Sequence, residues 1–387
     1  MGINKIYQGN CLEILKTFPN DSIDCIISSP PYWGVRDYGD NNDIIWDEDP
    51  KCEHNFILET KKNPMDRNGS GDFDKEGIAK SGYDMRKREE GYCSKCGAWK
   101  GQLGLEDHPQ KYIDHIVEIM KECKRVIKNE GTIFLNLGDS FYTKSGSGQG
   151  SNYLERHKQL DRGNGVLTKA HTQTRGKYKS NWLQTKQKLL IPHRITIKCQ
   201  DELGLIVRND IHWIKQFIDW GNKQSYGTSY PSSVQDRLST NAEFIFFFVK
   251  SPKYYYNLDA IRVPHKEISL NRVKYGHKST EGSPYTEQCD GQDMKRFCNP
   301  KGKNPGDCIR FPFDYSTESH FAVFPKNLVE FCILCGCPEN GIVLDPFAGS
   351  GTTLFVAKHM KRNYIGIELN PDYIRLIEKK LAQEILK

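Results

Sequence analysis

The chain has 387 residues, 37% of them hydrophobic and 11% aromatic, enough for the core of one large or two modest domains. A mean hydropathy of −0.66 implies long polar segments hung on that core. The longest apolar run, FIFFFV at 244–249, is strand-sized and excludes a membrane helix of about 18 residues, while a net charge of +6 permits a polyanionic partner without requiring one.

The first residues, MGINKIYQGNCLEILKTF, carry no apolar secretory core, and Ile6 stands where a myristoylation signal wants Ser or Thr. Thirteen cysteines without export point to reduced thiols in a cytoplasmic setting, so metal ligation is a better question than disulfides. Residues 3–38 read as strand, helix, strand: LEILKTF (12–18) has helical spacing, Asp21 and Ser22 turn the chain, and DCIISS (24–29) is a short buried strand. Pro30 and Pro31 stop that strand, since neither supplies the N–H of a ladder.

A polar span covers 39–104. Residues 109–128 form an amphipathic helix opened by Pro109 and closed by Asn129-Glu130-Gly131, followed by the buried strand TIFLNLGDSF (132–141). The span 143–186 reads as a basic loop, 191–205 as a helix with Pro192 at its start, and 206–215 and 243–250 as strands. A third polar, basic span covers 264–310. The last part is the most regular: helix 326–336, strand 342–345, helix 351–360, strand 364–369, helix 371–386. Alternating α and β with apolar strands predicts one parallel-rich α/β sheet wrapped by helices, with the polar spans inserted into it.

VLDPFAGSGTT (343–353) is strand, glycine loop and helix, a unit that brings backbone close to a ligand and presents free N–H groups. Leu354 occupies the place of the last glycine of G-x-G-x-x-G, and no lysine follows Gly351 as a P-loop requires. Glu368 ends the next strand, 23 residues after Asp345, where a carboxylate can take two ribose hydroxyls. The fitting ligand has ribose and adenine but no pyrophosphate. S-adenosylmethionine answers that description, its cationic sulfonium and ammonium suiting Asp345; a bare β–α turn is the alternative.

ISSPPYW (27–33) together with LDPFAGSGTT (344–353) resembles the permuted, beta-class DNA methyltransferases that modify exocyclic amines. LNLGDSF (135–141), PSSVQDRLSTNAEFIFFFVKS (231–251), NPGDCIRFP (304–312) and HFAVFPKNLV (320–329) resemble the same family. The resemblance implies a Rossmann-like, S-adenosylmethionine-dependent fold, circularly permuted so that the catalytic motif precedes the cofactor motif. It implies cofactor binding by Asp345, Pro346, Phe347, Gly349, Ser350, Gly351, Thr352 and Glu368, with Phe324 and Pro325 covering the methionine end. It implies further that the Ser29 hydroxyl and the Pro30 carbonyl accept from the target amine, that Pro30 and Pro31 hold them rigid, and that Tyr32 stacks on the base, with Trp33 as a second aromatic wall.

A base inside a duplex cannot reach such a pocket, so the partner is double-stranded DNA with a flipped base. Ligands in such sheets sit beyond the carboxyl ends of the strands, so strands 24–29 and 342–345 must be neighbours. Family members with Ser before Pro-Pro mostly methylate the cytosine 4-amino group and those with Asp or Asn the adenine 6-amino group. Ser29 therefore favours cytosine, with adenine, or an RNA or protein amide, as alternatives. Asp139 either joins the same rim or caps a turn, and Asp236-Arg237 is expected at the base pocket. The resemblance also suggests a prokaryotic or phage-infected cell and a cognate restriction endonuclease. Monomer and homodimer are both open.

Cys52-x-His54 and Cys93-x-x-Cys96 supply four ligands with the spacing of structural zinc knuckles, although 38 residues separate the pairs; four free residues are the alternative. Cys289, Cys298, Cys308, Cys332, Cys335 and Cys337 read as core or linker thiols. The span 264–310 interleaves Lys266, Arg272, Lys274, Lys278, Lys295, Arg296, Lys301 and Lys303 with Tyr275, Tyr285 and Phe297, which suits phosphate contact and base stacking and is the expected recognition region. Arg156, Arg162 and Arg175 in 143–186 could clamp the backbone; a solvated loop is the alternative for both spans. The expected organisation is thus a catalytic half (1–38, 105–142, 187–263), a zinc-knuckle insertion (39–104), a basic loop (143–186), a recognition region (264–310) and a cofactor-binding half (311–387).

Overall fold

Short runs of β-branched and aromatic residues alternate with amphipathic stretches, and each becomes one layer of an α/β sandwich. The computed structural model describes residues 1–35, 43–62, 87–142, 183–228, 234–275, 298–312 and 325–382. In chain order these give β1 (Lys5–Gln8), α1 (Cys11–Lys16), β2 (Ile23–Ser28), β3 (Ile44–Trp46), β4 (Phe56–Lys62), β5 (Lys87–Cys93) and β6 (Trp99–Gly101). There follow α2 (Pro109–Val126), β7 (Ile127–Leu137), α3 (Ile191–Asp201), β8 (Ile206–Ile214), β9 (Gln216–Asp219), β10 (Gln224–Gly227) and β11 (Ala242–Val249). The remainder comprises α4 (Glu267–Tyr275), β12 (Cys308–Ile309), α5 (Lys326–Gly336), β13 (Ile342–Asp345), α6 (Thr352–His359), β14 (Asn363–Glu368) and α7 (Pro371–Ala382).

The main sheet runs in the order β1-β14-β13-β2-β7-β11-β8-β12. Its first five strands are mutually parallel, and β11 lies antiparallel to both neighbours. Period-two alternation sends side chains of β2 to opposite faces. Ile26 joins a core with Leu15 of α1, Ile113 and Ile116 of α2 and Ile195 of α3. Cys25 and Ile27 join the other core, with Leu328 and Ile333 of α5, Leu354 of α6 and Ile377 of α7. No described helix is long and apolar enough to cross a membrane.

Two expectations change. Asn129-Glu130-Gly131 does not separate helix from strand, because β7 already begins at Ile127. Ile23 pairs with Ile127 and Cys25 with Thr132, so the turn-forming residues form an irregularity within the strand instead of ending an element. The polar span 39–104 contains its own antiparallel sheet, in the order β3-β6-β5-β4. That sheet is fastened to α2 by His115, which is 1% exposed and stacks on both Trp46 and Trp99, with ring centroids 4.3 and 5.9 Å away. The imidazole contacts Glu106 at 3.0 Å and Asp47 at 3.3 Å. Burial alone would push its pKa down, but the bonds to the two carboxylates outweigh it and raise the pKa to about 9.

Candidate active site

β2 and β13 are parallel neighbours, with Cys25 opposite Val343 and Ile26 opposite Leu344, so the segments leaving both strands emerge on one rim of the sheet. Between them lies a cavity of about 390 Å³, within the ~300–1,000 Å³ of small-ligand sites. Ser29, Pro30, Pro31 and Tyr32 line one part of it. Asp345, Pro346, Phe347, Ala348, Gly349, Ser350, Thr352 and Glu368 line another.

A buried carboxylate and a half-buried one organise the glycine-loop side. Asp345 is 4% exposed, and its Oδ1 accepts from Ser28 Oγ at 2.6 Å and from the Phe347 N–H at 3.0 Å. Burial pushes its pKa up, and these donors pull it back toward the charged form. Glu368 accepts from the Gly349 N–H at 2.8 Å through Oε2 and from the Asn370 N–H at 2.8 Å through Oε1; burial raises its pKa also. The backbone bends between them because Gly349 and Gly351 sit at φ of +49° and +75°. Gly351 caps α6, where a Cβ would lie 2.8 Å from Ile377, and it does not itself line the cavity. A ligand with a cationic end and a pair of hydroxyls fits this donor set, as S-adenosylmethionine does. Pro325 is the buried N-cap of α5 and is not a lining residue, and Phe324 lies outside the described residues.

On the Ser-Pro-Pro-Tyr side the side chains form a directed chain of hydrogen bonds. Ser29 Oγ donates to Tyr32 Oη at 3.2 Å, and Asn136 Nδ2 donates to the same oxygen at 2.7 Å. Tyr32 Oη donates in turn to Glu243 Oε2 at 2.8 Å, while Lys215 Nζ forms an ion pair with Glu243 Oε1. Because the Ser29 proton is directed at Tyr32, the serine lone pairs remain to accept from a third group. Burial and the Glu243 charge hold the Tyr32 pKa well above the usual phenol value, so it stays a donor. The ring lies against Gly138, where a Cβ would stand 2.5 Å from Cδ2 and Cε2. The second carbonyl of the proline pair is also fixed, since Tyr112 Oη donates to Pro31 O at 2.8 Å.

Asn136, Trp213, Lys215 and Glu243 line the cavity and were not singled out from the sequence. The available signal was a polar residue inside an apolar strand: Asn136 in TIFLNL, and Glu243 before FIFFFV. Trp33 is not an aromatic wall. It is 6% exposed, packs in the core and donates from Nε1 to Glu106 O at 3.0 Å; Trp46 and Trp213 line the cavity instead. Asp139 acts as a cap, accepting from the N–H groups of Ser140 at 2.9 Å and Ile191 at 3.2 Å. Asp236 pairs with Lys186 at 2.5 Å, and the Arg237 guanidinium lies 3.7 Å over the Phe141 ring; neither lines the cavity.

Cys52, His54, Cys93 and Cys96 converge, their ligand atoms within 4.8 Å of one another. Cys332, Cys335 and Cys337 are buried core thiols. In the expected recognition region Lys266 and Lys303 are exposed and Lys301 pairs with Asp259 at 2.8 Å. Only the α4 backbone is described for Arg272, Lys274 and Tyr275. Lys278, Tyr285, Cys289, Lys295, Arg296 and Phe297, like Arg156, Arg162 and Arg175, lie outside the described residues.

A family model described as DNA methylase matches residues 23–379. The chain is 28% identical over 382 residues to the Type II methyltransferase M.SmaI of Serratia marcescens, covering 98% of this chain and 91% of that one. To the Type II methyltransferase M.Cfr9I of Citrobacter freundii it is 26% identical over 379 residues, covering 98% and 88%. Among solved structures, the PvuII DNA methyltransferase (cytosine-N4-specific) superposes with a TM-score of 0.52 at 14% identity, covering 100% of this chain and 89% of that one, a likeness of fold.

Proposed function

The chain belongs to the DNA methylase family, and from that premise we propose that it methylates the 4-amino group of a flipped cytosine in duplex DNA. It is a Type II DNA amino-methyltransferase with S-adenosylmethionine as cofactor. The observation that carries the site assignment is the direction of the hydrogen bond from Ser29 to Tyr32, which leaves the serine oxygen as an acceptor at the cavity wall.

An exocyclic amine is a weak nucleophile because its lone pair is delocalised into the ring. Acceptors that hold its hydrogens turn the lone pair out of conjugation. Ser29 Oγ and the Pro30 carbonyl fill that role, and the two prolines fix their positions before substrate arrives. When bound, S-adenosylmethionine supplies an electrophilic methyl group on a sulfonium sulfur. Asp345 would hold its cationic end and Glu368 its ribose.

After the new N–C bond forms, the nitrogen must lose one proton. The observed chain gives that proton a route: Ser29 Oγ accepts it while passing its own proton to Tyr32 Oη, and Tyr32 passes its proton to Glu243 Oε2. Lys215 forms an ion pair with the other oxygen of the Glu243 carboxylate at the end of this chain. Tyr32 needs no net ionisation at any stage, in keeping with its raised pKa.

The preference for cytosine rests on Ser29 preceding Pro-Pro, with adenine 6-amino as the second reading on the same geometry. Incubation of the purified protein with duplex DNA and methyl-labelled cofactor, followed by nucleoside analysis, is expected to yield N4-methylcytosine. N6-methyladenine would overturn the base assignment, and absence of label in DNA would overturn the reaction.

A further inference from the structure

Outside the cavity, three cysteines and one histidine form a metal-sized cluster among the described residues, at one end of the inserted sheet. Its two knuckles come together because β4 and β5 pair in a hairpin with Phe56 opposite Cys93, so the segment before β4 and the segment after β5 meet. Cys93 Sγ lies 3.8 Å from Cys52 Sγ, and Cys96 Sγ lies 3.4 Å from His54 Nδ1. Zinc at about 2.3 Å from sulfur and about 2.0 Å from nitrogen in a tetrahedron sets ligand edges of about 3.8 Å (S–S) and about 3.5 Å (S–N). A disulfide would require about 2.05 Å between the sulfurs.

The surroundings match the same chemistry. The N–H groups of Asn55 and Lys95 both point at Cys93 Sγ at 3.4 Å, an arrangement that favours a thiolate. His54 directs Nδ1 to the cluster and turns Nε2 away from it, toward Glu48 Oε2 at an ion-pair distance of 3.9 Å. The Cys93 carbonyl accepts from the Gly97 N–H at 2.9 Å, closing the second knuckle.

The cluster is tied to the cavity by a short stretch of chain. β6 begins three residues after Cys96 and pairs with β3, Trp46 opposite Trp99. Ile44 and Trp46 of β3, and Gln102 and Leu103 just after β6, line the cavity. The next residue, Gly104, accepts from the Gly34 N–H at 2.6 Å, directly beyond Tyr32 and Trp33.

We propose that Cys52, His54, Cys93 and Cys96 bind one zinc ion, and that this ion fixes the inserted sheet as a wall of the cofactor cavity. Each cysteine binds as its thiolate, and any proton still on a sulfur goes to solvent as the Zn–S bond forms; the metal undergoes no redox change. The metal site stands on its own geometry, while its effect on the cavity rests on the cofactor reading above. In the stripped protein the wall is correctly placed only part of the time, and apparent cofactor affinity falls by the fraction lost, on the order of tenfold.

The test uses the full chain. Elemental analysis of the native protein is expected to find zinc equimolar with protein, and cobalt(II) exchanged into the site is expected to give the visible bands of tetrahedral thiolate ligation. Cys93→Ser should lose the metal, whereas His54→Cys, which keeps four ligands, should retain it. Removing zinc with a thiol reagent and restoring it should weaken and then recover S-adenosylmethionine binding measured by calorimetry. Native protein without zinc, or zinc retained in Cys93→Ser, overturns the site. If that variant does not fold, removal and restoration on the native chain decides. Zinc lost with unchanged cofactor affinity overturns the coupling. A native chain that binds zinc but no S-adenosylmethionine overturns the cofactor reading together with the coupling, and leaves the metal site standing.

Discussion

Ser28 Oγ donates to Asp345 Oδ1 at 2.6 Å, a buried bond between residues 317 positions apart. It joins the end of the strand that carries Ser-Pro-Pro-Tyr to the end of the strand that carries the glycine loop. The hydroxyl helps hold a buried carboxylate in its charged form against desolvation. Ser28→Ala is therefore expected to weaken cofactor binding by about ten- to 150-fold, the roughly 1.5–3 kcal/mol of one hydrogen bond to a charged group, while Asp345 Oδ1 keeps the Phe347 N–H. Calorimetric titration with S-adenosylmethionine checks it; unchanged affinity would show that the Ser28 bond contributes nothing to cofactor binding.

The neighbouring serine has a different expected signature. Ser29→Ala removes the amine acceptor and leaves the Ser28–Asp345 bond intact, so kcat should fall by about 10²–10³ while cofactor affinity is kept. Single-turnover rates with methyl-labelled cofactor measure this split. A full-rate Ser29→Ala enzyme would place the amine elsewhere.

Glu243→Gln should lower kcat by about 10²-fold, because the last proton acceptor of the chain becomes an amide. The residue packs no cofactor-side carboxylate, so calorimetric cofactor affinity should hold. A variant with normal turnover would end the proton route through Tyr32.

Gly138→Ala tests the placement of Tyr32 without touching its chemistry. The added methyl would lie 2.5 Å from the tyrosine ring, too close for any carbon contact. Displacement of the ring should lower kcat at least as much as Tyr32→Phe does. Equal activity of wild type and Gly138→Ala would show that the ring position is not used.

A pH dependence follows from His115. Its folded pKa, about 9, stands above the ordinary value of about 6.5, because the bonds to Asp47 and Glu106 outweigh the burial that would lower it. A raised folded pKa means the native state binds the proton more tightly. The stabilisation is fully present below about pH 6.5 and is lost as pH rises through about 9. Thermal unfolding is expected to move to lower temperature across that interval, and His115→Gln should be less stable at pH 6 and nearly free of that slope. A flat wild-type profile would remove the ion pair from the stability of the insertion.

The sequence by itself determined the parts of the molecule that depend on near neighbours. Helix 326–336 and strand 342–345 have the limits the pattern predicts, because apolar periodicity and flanking Gly and Pro act within a few residues. Ser-Pro-Pro-Tyr and Asp-Pro-Phe-Ala-Gly-Ser-Gly stood out locally, because proline fixes φ and glycine permits a positive one, while their roles were implied by the family resemblance. Only the tertiary structure decided what those residues meet. Asn136 of β7 and Glu243 of β11 reach Tyr32, and Lys215, just after β8, reaches Glu243; their convergence follows from the order β2-β7-β11-β8, which no local pattern encodes. Trp33 turned into the core because Glu106, 73 residues on, offers its carbonyl there. In the span 39–104, β3, β4, β5 and β6 pair edge to edge, and Trp46 and Trp99 pack against His115 of α2, pairings and contacts that a residue-by-residue reading of a polar segment does not register.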